Sequence, residues 1–254
     1  ALQAPRLEPR DAPNGGGRGA TPGLSKRRMR QGLVMAEVAL ATVLALSAGL
    51  LMKSFGRLVS FDHGFRAENV LVVPIPLRGQ INPQFAAFYE RVLEQAKALP
   101  GVESASLALR TPMESQGFKF PFQVEGRPAS PQSEAPQAVI RPITSEYFKT
   151  AAIPLLSGRA FNDQDRAGAP AVTIINQTFA KTLFPNGDPV GQRLRSDEMN
   201  RGRSVLIVGV AADVTPEAGA ASRPAIYAPF SQFPVPGMSL LMRTAGDPLN
   251  LAPT

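Results

Sequence analysis

Residues 32–52 read GLVMAEVALATVLALSAGLLM, a run of 21 residues in which Glu37 is the only charged residue. At about 1.5 Å of rise per residue, a helix of this length spans roughly 31 Å, which matches the hydrocarbon core of a lipid bilayer. The alternatives are a buried core helix and a signal peptide. A core helix is rarely apolar on every face for this length, and the apolar region of a signal peptide has only about 7 to 15 residues. The run therefore predicts a transmembrane helix over residues 32–52.

The charges on either side of this helix predict its orientation, because cytoplasmic flanks are enriched in Lys and Arg. Residues 1–31 contain seven Lys and Arg against two Asp and Glu, whereas residues 32–68 contain three of each class. The N-terminus is therefore expected in the cytosol and the large C-terminal segment on the far side of the membrane. The basic cluster expected to set this topology consists of Lys26, Arg27, Arg28 and Arg30.

The composition of the rest of the chain excludes several classes of function. The net charge is +7, but residues 69–254 carry seventeen basic against fifteen acidic residues, so the dense positive charge lies beside the membrane helix and a nucleic-acid interface is not expected. The chain has no cysteine, which excludes disulfides and thiolate metal sites. Residues 1–24 are rich in Pro, Gly and Arg and are expected to form a mobile linker.

Few residues carry recognisable chemistry. Asn162, Asp163 and Asp165 resemble part of a calcium loop, but the glycine and the distal glutamate of that motif are absent, which favours a solvated turn. Residues 176–178 form a glycosylation sequon in which Asn176 is expected to cap a helix instead. His63 is the only histidine, so a structural role is expected for it. We expect no catalytic residue, no cofactor and no metal.

One face of the membrane helix combines a carboxyl group with small residues. Glu37, Ala41, Ala45 and Gly49 recur every four residues and so share a helical face. Small residues allow close approach of helices, and an intramembrane carboxyl group normally faces protein or water, so this stripe predicts a packing face toward other transmembrane helices. The alternative is that an alanine-rich helix produces the stripe by chance, while Glu37 reaches the cytosolic interface. The residue pattern leaves both interpretations open.

Beyond the membrane helix, strand and helix patterns alternate. Lys53–Phe61 keeps helical spacing, with Gly64 as the expected stop. Asn82-Pro83 predicts the start of a helix that ends before Pro100, between strands at 70–77 and 102–109; such a unit is usually a crossover between parallel strands. The other expected helices are a short one capped by Ser145 and one that follows Asn176. The other expected strands cover residues 118–124, 139–143, 171–175, 205–210, 225–230 and 239–243.

These residues together resemble the permeases of MacB/FtsX-type ABC transporters, and most closely the duplicated orphan permeases of the acidobacterial type. The similarity covers nearly the whole chain from about residue 15, and its blocks occur in the order found in that family. The blocks that carry it include GGRGATPG, RRMRQGLVMAEVALATVLALSAGLLM, FRAENVLVVPIPL, FYERVLEQAKALPGVESASLA, ITSEYFKTAAIPLLSGRAFNDQD, VTIINQTFAKTLFPNGDPVGQRL and VLIVGVAADV.

The resemblance implies an α+β fold in which one N-terminal transmembrane helix precedes a MacB-like periplasmic domain. The expected divisions are a basic cytosolic linker (1–31), the transmembrane helix (32–52), a stalk (53–66) and the periplasmic core domain (67–254). Within the domain, the family has a porter-like part, here residues 69–109 and 205–243, and an inserted mixed α/β part at about 111–204. The chain is expected to be a fragment of a longer permease.

The function implied is mechanotransmission in the bacterial inner membrane, in which ATP hydrolysis on a separate cytosolic ABC ATPase subunit moves the periplasmic domain. The implied partners are the lipid bilayer, the remaining helices of the permease, the ATPase, and a periplasmic adaptor or substrate protein. The rival hypothesis is a membrane-anchored periplasmic sensor or binding module that transports nothing.

Overall fold

The computed structural model describes residues 22–59, 61–77, 83–114, 117–128, 134–197, 202–215 and 220–251. The chain divides into two compact units, residues 1–60 and residues 61–254. The first is helix α1 (Pro22–Val59), whose described side chains are all exposed. By length and composition, α1 is the one helix of the described residues that could cross a membrane, with a candidate span over Arg27–Gly56 and a mean hydropathy of 2.1.

Helix α1 is longer than the apolar run at both ends. It starts at Pro22, a residue favoured at the first helical position, and continues through the basic residues 26–30, because Lys and Arg are good helix formers. Residues 22–31, which were assigned to the linker, are thus helical, and residues 1–21 lie outside the described residues. The helix continues beyond Met52 as expected, but the predicted stop at Gly64 is wrong because α1 ends at Val59.

Among the residues that the structure describes, the second unit is built on one mixed sheet of eleven strands. Their bounds are β1 Val70–Pro74, β2 Val102–Ala108, β3 Lys119–Pro121, β4 Gln123–Val124, β5 Gln137–Ile143, β6 Leu155–Gly158, β7 Val172–Asn176, β8 Arg193–Arg195, β9 Ser204–Ala211, β10 Ala225–Pro229 and β11 Ser239–Thr244. Three helices, α2 (Pro83–Lys97), α3 (Tyr147–Ala151) and α4 (Gln177–Leu183), and a 3₁₀ turn (Pro248–Leu251) accompany them. The sheet order is β1-β11-β2-β5-β10-β7-β9-β8-β4, with β3 on β5 and β6 on β9.

The predicted strand-helix-strand unit is present with one strand inserted in it. Strands β1 and β2 both run antiparallel to β11, which lies between them, so they are parallel to each other without being neighbours. Helix α2 covers this part of the sheet through the face that helical spacing predicted. Its residues Tyr89 and Ala96 are buried in a cluster with Leu107, Phe230 and Met242.

The predicted strand over 118–124 is two strands with different partners. Strand β3 pairs with β5, whereas β4 pairs with β8. Pro121, at the end of β3, has no N–H group for a ladder, so the chain changes neighbours there. Phe122 and Val124 are buried as the alternation predicted, but Phe118 is 71% exposed.

Two predicted helix caps had different outcomes. Asn176 caps α4, because its side-chain oxygen accepts a hydrogen bond from the backbone N–H of Phe179 (3.1 Å). The prediction for Ser145 is wrong: Glu146 is the residue before α3, and its side chain makes no capping bond.

The sheet passes without interruption through the region where a division into two parts was expected. The resemblance assigned strands β9 and β10 to the porter-like part. Strand β9 pairs with β6, β7 and β8, and strand β10 pairs with β5 and β7. A core around Phe179 lies on one side of these strands, and a second around Tyr147 and Tyr227 includes α3. The division near residue 111 stays a prediction.

Candidate functional site in the segment that begins the domain

The packing stripe predicted on the first helix consists of exposed residues. Glu37, Ala41, Ala45 and Gly49 are all exposed, and a Cβ atom added at Gly49 would have nothing within 4 Å. In the basic cluster, Arg27, Arg28 and Arg30 are exposed, while the side chain of Lys26 lies outside the described part. The roles of these residues in helix packing and in membrane topology therefore remain predictions.

The calcium-like residues form a structural turn around an ion pair. Asp165 accepts two hydrogen bonds from the guanidinium of Arg159 (2.7 and 2.9 Å) and one from the backbone N–H of Asn162 (2.9 Å), and its side chain is only 4% exposed. Burial raises the pKa of Asp165, but these hydrogen bonds outweigh it and hold the pKa below its ordinary value. Asp165 is thus a buried ion-pair partner, whereas Asn162 and Asp163 are exposed, as the predicted solvated turn requires.

The segment that follows α1 in the sequence is attached to the domain along its length. We call residues 61–69 the junction segment. Its most connected partner is Arg243 on β11, whose guanidinium donates to the carbonyl oxygens of Arg66 (2.8 Å) and Glu68 (3.0 Å). The same guanidinium donates through Nε to the carbonyl oxygen of Thr150 at the end of α3 (2.8 Å). One side chain therefore connects the junction segment, α3 and β11.

The main chain adds a second set of links at the end of the junction segment. The N–H of Arg66 donates to the carbonyl oxygen of Ala151 (3.1 Å), which gives a partner to one of the last carbonyl groups of α3. The N–H of Thr244 donates to the carbonyl oxygen of Asn69 (2.9 Å), directly before β1 begins. Asn69 has a φ of 57°, a left-handed conformation that asparagine tolerates better than most residues.

The start of the junction segment is attached to the loop after β9. His63 Nδ1 donates to the carbonyl oxygen of Thr215 (2.9 Å), and the N–H of Thr215 donates to the carbonyl oxygen of His63 (3.1 Å). Gly64 has a φ of 77°, and a Cβ atom there would collide with the carbonyl oxygen of Asp213. A residue without a side chain is therefore needed at position 64 for close packing inside the domain. The only histidine has the structural role that was expected of it.

The same loop connects onward to α4 and β10 through Asp213. The Asp213 carboxylate accepts from the Asn176 amide (2.7 Å) and from the N–H and hydroxyl groups of Thr178 (2.9 and 2.7 Å). Asn176 is 2% exposed, and its oxygen also accepts from the N–H of Ala225 at the start of β10 (2.9 Å). The loop after β9 is thus bonded to His63 through Thr215 and to α4 and the end of β7 through Asp213.

Sequence reasoning missed Arg243 and Asp213. A charged residue in the apolar stretch SLLMRT was the available signal for Arg243, because an arginine in a half-buried strand needs acceptors nearby. Nothing in the local pattern indicated which acceptors these are, since they lie 93 to 177 residues away in sequence. Among the residues that the structure describes, no group of three or more metal-ligating side chains gathers.

Comparisons with known proteins agree with this architecture. The family model described as "MacB-like periplasmic core domain" matches residues 32–250. A relative, the uncharacterized ABC transporter permease YknZ of Bacillus subtilis (strain 168), is 28% identical over 134 residues, which are 53% of this chain and 30% of that permease. The chain thus matches less than a third of the length of this relative.

Two solved structures are also similar. The periplasmic region of MacB from Actinobacillus actinomycetemcomitans has a TM-score of 0.47 and 14% identity, with 75% of this chain and 81% of that chain covered. The extracellular domain of the noncanonic ABC-type transporter YknZ from Gram-positive bacteria has a TM-score of 0.46 and 18% identity, with coverage of 72% and 88%. The family model spans all but the first 31 and the last four residues. The chain therefore belongs to the MacB-like periplasmic core domain family of ABC transporter permeases.

Proposed function

We propose that this chain is the part of an ABC transporter permease that transmits movement from the membrane to a periplasmic domain. ATP hydrolysis takes place on a separate cytosolic ATPase subunit, and displacement of α1 is passed to the sheet. The family and the candidate span in α1 support a membrane-anchored permease domain. The charges before residue 31 support a cytosolic N-terminus in the inner membrane. A reporter phosphatase that is active only in the periplasm, inserted within residues 129–133, tests this orientation. An inactive reporter would contradict a periplasmic domain.

The attachment of the junction segment is the observation that carries this proposal. Movement of a helix displaces a domain only if the chain that connects them is not flexible. Here the segment has partners in the domain from His63 onward, through Thr215, then through Arg243 and Ala151, and through Thr244 at its end. Hydrogen bonds to a charged guanidinium contribute about 1.5 to 3 kcal/mol each, more than neutral ones.

The partners of the proposed function follow from its mechanism. Besides the bilayer and the ATPase, α1 needs the remaining transmembrane helices of the permease as neighbours, and the domain needs a periplasmic adaptor or substrate protein on which its movement acts. The duplicated, acidobacterial type of permease remains our expectation for the full-length protein.

Lengthening the connection before the junction segment tests the mechanism. Four Gly and Ser residues inserted after residue 60 leave every bond of residues 61–69 in place but make the connection to α1 flexible. The chain has no cysteine, so a single donor dye can be placed on Glu103→Cys, an exposed position of β2, with acceptor dyes on lipid headgroups. In the complete permease with its ATPase, in vesicles, we expect an ATP-dependent change in energy transfer that the insertion abolishes.

The matched control is the same insertion after Asn186, in an exposed turn of the domain. It should retain the ATP-dependent change. If the insertion after residue 60 retains it as well, transmission through the junction segment is wrong. If ATP changes nothing in the unmodified permease, the sensor or binding module becomes the better hypothesis.

A further inference from the structure

A small cavity lies where β5, β7 and β10 meet the loop after β9. Its volume is about 40 Å³, and its lining includes Arg141, Asn176, Arg223 and Tyr227. Since one water molecule needs roughly 10–15 Å³ on this measure, the cavity holds about three non-hydrogen atoms. It lies beside Val214, on the loop that His63 holds, and is separate from the junction segment.

Arg141 is the unusual residue of this cavity. It is 7% exposed, yet no carboxylate of the described residues lies within ion-pair distance of its guanidinium. Its terminal nitrogens donate only to the carbonyl oxygens of Thr111 (3.4 Å) and Glu114 (3.0 Å). The carboxylate of Glu114 pairs instead with Arg110 (3.6 Å). A buried cation without an anion is costly, since buried charges are normally paired.

One donor of this charged group has no partner. Within the described part of the chain, Arg141 Nε is buried and makes no hydrogen bond. Burial raises the pKa of Tyr147 and of Tyr227, although the nearby Arg141 acts to lower both, so the two hydroxyl groups stay protonated at neutral pH. By contrast, Asn176 is fully occupied by Asp213, Phe179 and Ala225. The unused hydrogen-bonding capacity of the lining residues is thus the Nε–H group of Arg141, which belongs to a buried positive charge.

We propose that this cavity binds a carboxylate-sized oxyanion. A planar guanidinium is the donor that suits a carboxylate, and three non-hydrogen atoms are the size of a carboxylate group. Arg223, which is exposed at the cavity and makes no ion pair among the described residues, adds a second positive charge at the opening.

Acetate binding to the full chain in detergent micelles tests this site. Acetate replaces chloride at constant ionic strength, with thermal unfolding and the ¹H–¹⁵N signals of the arginine Nε groups as readouts. We expect acetate to raise the unfolding midpoint, because a ligand of the folded state stabilises it, and to shift the Nε signal of Arg141. Arg141→Gln should abolish both effects, whereas Arg193→Gln, at an exposed position of β8, should retain them.

The variant Arg223→Gln provides a second test of acetate binding if Arg141→Gln does not fold. Because Arg223 is exposed, this variant should fold and bind acetate about tenfold more weakly, as expected for the loss of one charged contact. Equal midpoints in acetate and chloride, or an acetate effect that persists in both variants, would overturn the proposal.

Discussion

Helices α1 and α2 are both rich in apolar residues, but only α2 buries them within the described structure. In α1, large apolar side chains all around the helix remain exposed, from 49% for Val34 to 75% for Met52. In α2, the apolar residues lie on one face, where Tyr89 is 0% and Ala96 is 5% exposed. The helices differ as well in length, with 38 residues against 15.

This difference indicates what stabilises each helix. A 15-residue helix is marginal alone, and α2 owes its stability to the sheet on which its face packs. Helix α1 has instead the length and composition of a candidate membrane span, for which a bilayer is the stabilising environment. Substitutions in α2 should therefore change the stability of the domain, and substitutions in α1 should change its membrane insertion and assembly.

The largest effect is expected at Tyr89. Its hydroxyl accepts from the N–H groups of Gly237 (3.0 Å) and Met238 (3.1 Å), and its ring packs edge-on against Phe230. Tyr89→Ala leaves a cavity and two unpaired donors, so it should reduce the free energy of unfolding by about 3 to 5 kcal/mol. Denaturant unfolding of the full chain in detergent measures this. Glu90→Ala, on the exposed face of α2, should stay within about 0.5 kcal/mol, and a similar value for Tyr89→Ala would contradict the packing described.

A charge in the middle of α1 should instead affect insertion. Val43 is near the centre of the apolar run and is 58% exposed. Val43→Arg should disfavour insertion by about 3 kcal/mol and reduce the membrane-integrated fraction after alkaline extraction. Phe118→Arg is the matched control, because Phe118 is more exposed but belongs to the domain. If both variants remain equally integrated, α1 does not cross the membrane.

The smallest effect is expected on the predicted packing face. Ala45→Leu should keep neighbouring helices apart and reduce assembly of the permease, because small residues permit close approach. Ala39→Leu makes the same change on the opposite side of α1 and should have little effect. Co-purification of the ATPase with each variant compares them. Equal assembly of the two variants would mean that the stripe of Glu37, Ala41, Ala45 and Gly49 arose by chance.

Local patterns predicted most of the elements correctly. The apolar face of α2, the cap at Asn176 and the strands near β9, β10 and β11 were all readable from spacing and turn residues. They are determined by neighbours within a few positions, where periodicity and capping act. The family resemblance was likewise readable, because its motifs occur in order.

Features that depend on distant partners were not predictable. Strand β6 has the sequence LLSG, which has no clear alternation, and it forms because Gly158 can approach Val208 and Gly209 on β9. Gly64 resembles a helix stop, yet a glycine is required there by the close approach of Asp213, about 150 positions away in the sequence. The acceptors of Arg243 are equally remote. For this reason the sequence indicated the elements that surround the junction segment but not the bonds that fix it.

The position of β11 between β1 and β2 constrains the order in which the domain is completed. The first two strands end by residue 108, but the strand that joins them begins at residue 239. Closing a loop of this length is slow, and pairing of distant segments comes late in folding. During synthesis, β1 must therefore wait for β11, whereas α2 can already pack on β2. A nascent chain that stalls before residue 239 offers β1 no partner, and this makes the beginning of the domain its most vulnerable region to chaperone capture and proteolysis.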